Sequence, residues 1–80
     1  MHFVYILKSL SADKSYVGIS GDVERRLTEH NSGKSYYTKR HLPWVVVYTE
    51  KFDSVREARE KEKWLKTTPG RRFLNKVFGS

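Results

Sequence analysis

Apolar residues recur along this chain with two periods, and each change of period marks an element. From His2 to Lys8 the run places apolar side chains on both faces of an extended segment, which predicts a buried strand. Ser9 to Lys14 is a polar turn, and Ser15 to Ser20 reads as a second strand. So short a connection pairs the two as an antiparallel hairpin. Tyr5 and Tyr16 then share a face only if directly paired residues have numbers that add to an odd total, because side chains alternate across a strand. The alternation alone leaves that register open. Gly21-Asp22 opens a helix to about His30, with Val23 and Leu27 facing inward and Arg26 and His30 four apart on one flank. Asn31-Ser32-Gly33 closes it with residues that tolerate the left-handed conformation. Lys34 to Leu42 is a basic, aromatic loop. After Pro43, the β-branched run from Trp44 to Thr49 predicts a third strand. Ser54-Val55-Arg56-Glu57 is a capping box that starts a second helix running to about Lys66. Thr67 to Gly70 breaks it, and Arg71 to Phe78 form a short third helix that buries Phe73, Leu74 and Val77. The expected fold is α+β, in the order β-β-α-β-α-α: a three-stranded antiparallel sheet flanked by helices, one domain over residues 1–80.

Composition narrows the class. Eighty residues support one modest core, and a chain of this size buries only ~60% of its unfolded surface. Without cysteine there is no disulfide and no cysteine-based zinc site. No apolar run approaches the ~18 residues of a membrane span, and the first residues lack a signal-peptide layout, so the cytoplasm is the expected compartment. The net charge of +7 points to a polyanionic partner. A basic domain that also interleaves cations with aromatics favours nucleic acid over a merely soluble basic protein.

Several residues carry candidate chemistry. On the second helix Val55, Ala58 and Leu65 form the inward stripe, and at about 100° per residue Glu62 projects between Val55 and Ala58. A carboxylate there either binds a cation or faces a cleft, or else it reaches solvent at the stripe edge and bridges to Lys66. Glu60 is its neighbour but points away from the stripe. Arg25 and Arg26 cannot face the same site; Arg25 can pair with Glu29 one turn on, as a surface charge. A guanidinium matches a phosphate with planar, bidentate donors. Tyr5 and Tyr16 are either half-buried strand aromatics or site phenols. His30 is either a helix-flank residue or a hydrogen-bond partner of a tyrosine or a phosphate. Lys34, Tyr36, Tyr37, Lys39, Arg40 and His41 either track a phosphate backbone or fold back onto the sheet. Lys61, Lys63, Lys66, Arg71 and Arg72 make a second basic surface, suited to phosphate contacts without sequence preference.

The two tyrosine-bearing strands and the helix after them resemble the GIY-YIG nuclease superfamily. Phe3-Val4-Tyr5 stands where Gly-Ile-Tyr would stand, and Tyr16-Val17-Gly18 where Tyr-Ile-Gly would. The stretch from Tyr16 to Asn31 looks like the family's second motif and first helix at full length. The resemblance covers nearly the whole chain and implies a metal-dependent endonuclease acting on DNA, branched or nicked substrates among the candidates. It aligns Arg26 with the family's catalytic arginine and implies that Tyr5 and Tyr16 orient and deprotonate the attacking water, with His30 beside them. It makes Glu62, within Ala58 to Lys66, the single ligand of Mg²⁺ or Mn²⁺. Lys34, Tyr36, Tyr37, Lys39, Arg40 and Lys66 are then the nucleic-acid contacts. The chain departs from the family at Phe3, in place of the first motif's glycine. The asparagine found beyond the metal glutamate has no secure counterpart, Asn75 being a poor match. A non-catalytic nucleic-acid-binding module of the same fold is the alternative.

Overall fold

In the computed structural model, which describes residues 1–34 and 36–77, the apolar run at the start becomes the central strand. β1 (His2–Ser9) lies between β2 (Ser15–Ser20) and β3 (Trp44–Phe52), antiparallel to both. Being central explains why β1 is apolar on both faces: Val4, Tyr5, Ile6 and Leu7 are all fully buried. The three-stranded sheet and the element order β-β-α-β-α-α are as the sequence pattern implies.

The hairpin register pairs Tyr5 with Gly18 and Leu7 with Tyr16. The numbers add to an odd total, so Tyr5 and Tyr16 share a face as diagonal neighbours. On the other side of β1 the register slips between Ile6 and Leu7: Ile6 pairs with Tyr48 and Leu7 with Val46. Val47 is the extra residue of this bulge, which lets Val47 and Tyr48 pack on one face and Val46 on the other.

Helix α1 (Val23–Asn31) starts at Asp22, whose side chain accepts from the Arg25 backbone N–H. Helix α2 (Val55–Leu65) starts at Ser54, which caps Glu57 as the capping box predicts. Helix α3 spans Thr68–Val77. Between α1 and β3 the loop makes a single 3-10 turn, Thr38–His41. Val4, Ile6, Ala58, Leu65 and Leu74 form the core under α2 and α3, with Val17, Ile19, Tyr48 and Phe73 packed against it. On the opposite face Tyr5, Leu7 and Trp44 form a second core, closed by Val23, Leu27, Leu42 and Val46. No helix among the described residues is long and apolar enough to cross a membrane.

Four expectations need correction. β3 continues past Thr49 to Phe52, because its last residues still pair with His2 and Phe3. α3 begins at Thr68, three residues earlier than expected. Pro69 suits a first helical turn, where a missing N–H costs nothing. Gly70 there is buried against the end of α2, and a Cβ on it would lie 2.5 Å from Leu65 Cα. Val55 is not part of the inward stripe: it is 43% exposed, one residue past the cap, before α2 turns onto the sheet. Asn31 is the last residue of α1 rather than part of its close; Gly33 takes the left-handed conformation there, with φ at 83°. Asn31 stays helical and uses its amide to hold β3, donating to the Trp44 carbonyl (3.0 Å) and accepting from the Trp44 N–H (2.7 Å). The expected end of the third helix at Phe78 lies outside the described residues; Leu74 is buried and Phe73 and Val77 are half-buried.

Candidate active site

Tyr5 stands at the middle of the central strand, so its ring is walled in from the start. It has room only because its partner on β2 lacks a side chain. A Cβ on Gly18 would lie 2.5 Å from Tyr5 Oη and 3.0 Å from Tyr16 Cε1. The glycine of the second motif therefore makes space for a phenol lying across the β2 backbone.

The flank of α1 meets these phenols. Tyr5 Oη and His30 Nε2 are 3.2 Å apart, and the Tyr16 and His30 rings are 4.7 Å apart at their centroids. The Arg26 guanidinium donates to Glu29 Oε1 at 2.8 Å, and its charge lies near enough to the Tyr5 phenol to act on it. On its far side the imidazole meets Thr38, with His30 Nδ1 and Thr38 Oγ1 2.9 Å apart. Trp44 Nε1 donates to the Thr38 carbonyl at 2.7 Å. His30 and Thr38 are both buried, and every buried side-chain polar atom among the described residues has a partner.

Electrostatics separate the roles. Burial raises the Tyr5 phenol above its ordinary range, more than Arg26 lowers it. Burial, and then Arg26, push His30 below the usual imidazole range. Arg26 holds the Glu29 carboxylate below its usual range. Near neutral pH this centre is a neutral phenol, a neutral imidazole and a permanent cation. The half-exposed Arg26 opens onto a cleft of about 350 Å³ that it lines with Glu29, His30 and Lys34. A strongly shifted phenol does not by itself mark a site. Tyr48, on the other face, is pushed up to about 12 by burial and by its hydrogen bond to Glu50.

The sheet brings Tyr5, Tyr16, Arg26 and His30 together, with Lys34 at the cleft and Tyr37 stacked near Tyr16 at 6.4 Å. The basic loop divides. Tyr37 turns inward against His41 and Trp44, whereas Tyr36 is 69% exposed and lies under Lys39 and Arg40. Arg40 also donates to Tyr36 Oη at 2.7 Å, so these three make an outward-facing cluster. A second groove of about 650 Å³ runs around the open edge of β2, where Tyr16 and Tyr37 face Lys14, Lys66, Arg71 and Asn75. Asn75, weakly matched in sequence, thus shares a groove with Tyr16. Glu62 sits one turn before Lys66, on the helix packed against the opposite face of the sheet. Its side chain is 26% exposed and pairs loosely with Lys66 at 3.8 Å. Among the described residues no three His, Cys, Asp or Glu side chains cluster as a metal cage. Arg25 reaches Glu29 at 3.5 Å and is mostly solvated, and Glu60 pairs with Arg56 at 3.7 Å on the surface.

Sequence reasoning missed Thr38, the shared role of Glu29 and the Asn31–Trp44 clamp. Thr38 carries no signal, being a lone hydroxyl in a basic loop. Glu29 carried one: it is three residues from Arg26 as well as four from Arg25, and both spacings face each other on a helix.

Comparison with known proteins gives the family of this fold. The family model described as the GIY-YIG catalytic domain matches residues 1–75. A UPF0213 protein of Staphylococcus haemolyticus is 43% identical over 67 residues, covering 82% of this chain and 80% of its own. One from Natronomonas pharaonis is 39% identical over 67 residues, covering 82% and 78%. The solution NMR structure of the UPF0213 protein BH0048 from Bacillus halodurans superposes with a TM-score of 0.56 at 34% identity, covering 95% of this chain and 83% of that one. The motif tyrosines, the arginine and the histidine meet on a sheet of matching topology, and the match runs from residue 1 to residue 75: the chain belongs to the GIY-YIG family.

Proposed function

We propose that this chain is a single-domain, divalent-metal-dependent endonuclease that hydrolyses DNA phosphodiester bonds, branched or nicked DNA being the candidate substrates. The observation that carries the reading is the convergence of Arg26, Tyr5 and His30 beside a cleft, with Tyr5 and His30 in hydrogen-bond contact. Arg26 supplies fixed positive charge for the phosphoryl oxygens, whose charge is spread in the transition state. Lys34 widens that field. Tyr5 stays protonated and, held by His30, orients the reacting groups. Tyr16, nearer the open edge, is the proton acceptor for the water that attacks in line. Acting as the phenolate, Tyr16 takes the water's proton as phosphorus gains the water oxygen. One ester oxygen leaves and takes a proton from solvent, and Tyr16 returns its own proton to solvent. Tyr36, Tyr37, Lys39, Arg40 and Lys66 contact the strand on either side, and the charge of +7 makes binding fall steeply with salt.

Glu62 is the candidate metal residue. A lone, partly shielded carboxylate with a loose lysine partner fits Mg²⁺, which keeps several waters and takes other ligands from substrate phosphate. Glu62 pairs with Lys66, which lines the β2-edge groove with Tyr16, so an ion bound there would supply Lewis-acid polarisation to a phosphate at that edge.

The test is a panel of labelled flap, branched, nicked and single-stranded DNAs, with and without Mg²⁺, for the native chain and Glu62→Gln. The expected result is Mg²⁺-dependent cleavage by the native chain, none by the variant, and a metal-free melting temperature that stays level or rises. Salt-sensitive binding without cleavage of any substrate would replace this reading with a non-catalytic nucleic-acid-binding module. A destabilised Glu62→Gln that still cuts would make Glu62 a structural partner of Lys66.

A further inference from the structure

Thr38 is buried and holds His30 from the side away from Tyr5. It is itself immobilised. Its carbonyl accepts from the Trp44 indole, and the Trp44 backbone is gripped on both its N–H and its C=O by Asn31, the residue after His30. Imidazole, hydroxyl, indole and amide thus form a closed loop that ties α1, the 3-10 turn and β3 together around one ring.

The donor order of this loop follows from its ends. Arg26 is a permanent cation near the Tyr5 phenol, so the phenol oxygen is best turned to it and the phenol hydrogen away from it. The acceptor in reach of that hydrogen is His30 Nε2, at 3.2 Å. A neutral imidazole with Nε2 unprotonated carries its hydrogen on Nδ1, and the atom facing Nδ1 is Thr38 Oγ1, at 2.9 Å.

We propose that Thr38 is a positioning residue that sets the His30 tautomer: by accepting the Nδ1 hydrogen it keeps the Nε2 lone pair turned to Tyr5. Tyr5 then donates to the imidazole and leaves its oxygen lone pairs turned to Arg26. If the hydroxyl is lost, the Nδ1 hydrogen has no partner and the ring gains by moving its hydrogen to Nε2. The phenol must then accept from His30, and its own hydrogen turns towards Arg26, where it opposes the guanidinium. Thr38 touches none of the reacting groups; it acts through His30. Its effect on cleavage rests on the nuclease reading above, whereas its effect on the tautomer does not.

The experiment is ¹⁵N NMR of the ring nitrogens in the histidine-labelled full chain, in which protonated and unprotonated nitrogens have well-separated shifts. His30 is assigned by the signals lost in His30→Gln. The native chain must show hydrogen on Nδ1; hydrogen on Nε2 overturns the proposal without any variant. Thr38→Val keeps the shape and removes the hydroxyl, while Thr38→Ser keeps the hydroxyl. The expected result is that Val shifts the hydrogen to Nε2 and Ser retains the native pattern. On a substrate that the native chain cuts, Val should lose about tenfold to a hundredfold in rate, the usual cost of losing an outer hydrogen-bond partner, and Ser should recover most of it. A Val variant with the native tautomer and the native rate overturns the proposal. If the native chain cuts nothing, the nuclease reading fails and the NMR arm still decides the role of Thr38.

Discussion

Val4 and Ile6 point to one side of β1 and Tyr5 and Leu7 to the other, and the two sides are built from different chemistry. Under α2 and α3 the fully buried side chains are aliphatic: Val4, Ile6, Ala58 and Leu65. Under α1 and the 3-10 turn, Tyr5, His30, Thr38 and Trp44 are buried with their polar atoms. Burying such atoms is unfavourable unless each finds a partner, and here each does. An aliphatic core tolerates repacking; a polar one has a single arrangement that satisfies it. The first face supplies stability, and the second holds a phenol, an imidazole and a guanidinium in one geometry.

The largest expected effect lies on the aliphatic face. Ile6→Ala or Leu65→Ala should cost about 2–5 kcal/mol in denaturant melts, because either leaves a cavity at a site with no exposure. Cleavage per folded molecule should persist. On the other face Gly18→Ala puts a methyl 2.5 Å from Tyr5 Oη. Overpacking of this kind costs about 1–3 kcal/mol, and activity should vanish even at temperatures where the variant is folded. Tyr5→Phe keeps the ring but strips the buried His30 of a hydrogen-bond partner; the cost of an unmade buried hydrogen bond, about 1–3 kcal/mol, should show in the melt. If Gly18→Ala and Ile6→Ala behaved alike in both assays, the division between the faces would fail.

Histidine titration sharpens the same division. His30 has its folded pKa below the unfolded value near ~6.5, so the unfolded chain binds the proton more readily. Its contribution to stability is full above that value, shrinks as pH falls below it, and levels off once pH passes the folded pKa. Melting temperatures measured from pH 8 down to pH 5 should fall with a slope that His30→Gln reduces. An unchanged slope would mean that His30 titrates as a solvated group. The smallest effect belongs to Arg25→Ala, which removes a solvated pair with Glu29 and should leave the melt unmoved.

Much of this division was legible in the chain. The run from Phe3 to Leu7, apolar on both faces, required a central strand, and the two capping signals at Asp22 and Ser54 located their helices to within a residue. Tyr5, Tyr16, Arg26 and His30 were legible through motif spacing. What the sequence hid depends on long-range pairing. The bulge at Val47 and the extension of β3 to Phe52 follow from the match to β1, which no local pattern records. Thr38 and Asn31 work through hydrogen bonds to residues 8 and 13 positions away, and neither residue type nor period announces such a contact. Val55 misled because helical period alone does not say where a helix first touches the sheet.

The account stands most directly on Arg26 as the cation of the site beside an ordinary surface neighbour. Arg25 and Arg26 are adjacent, yet helical geometry aims them about 100° apart. The decisive measurement is single-turnover cleavage by Arg26→Ala and Arg25→Ala, side by side, with Mg²⁺ and at matched folded fractions. Loss of cleavage in Arg26→Ala with near-native cleavage in Arg25→Ala is the predicted result. Equal loss in both, or near-native cleavage by Arg26→Ala, would contradict it.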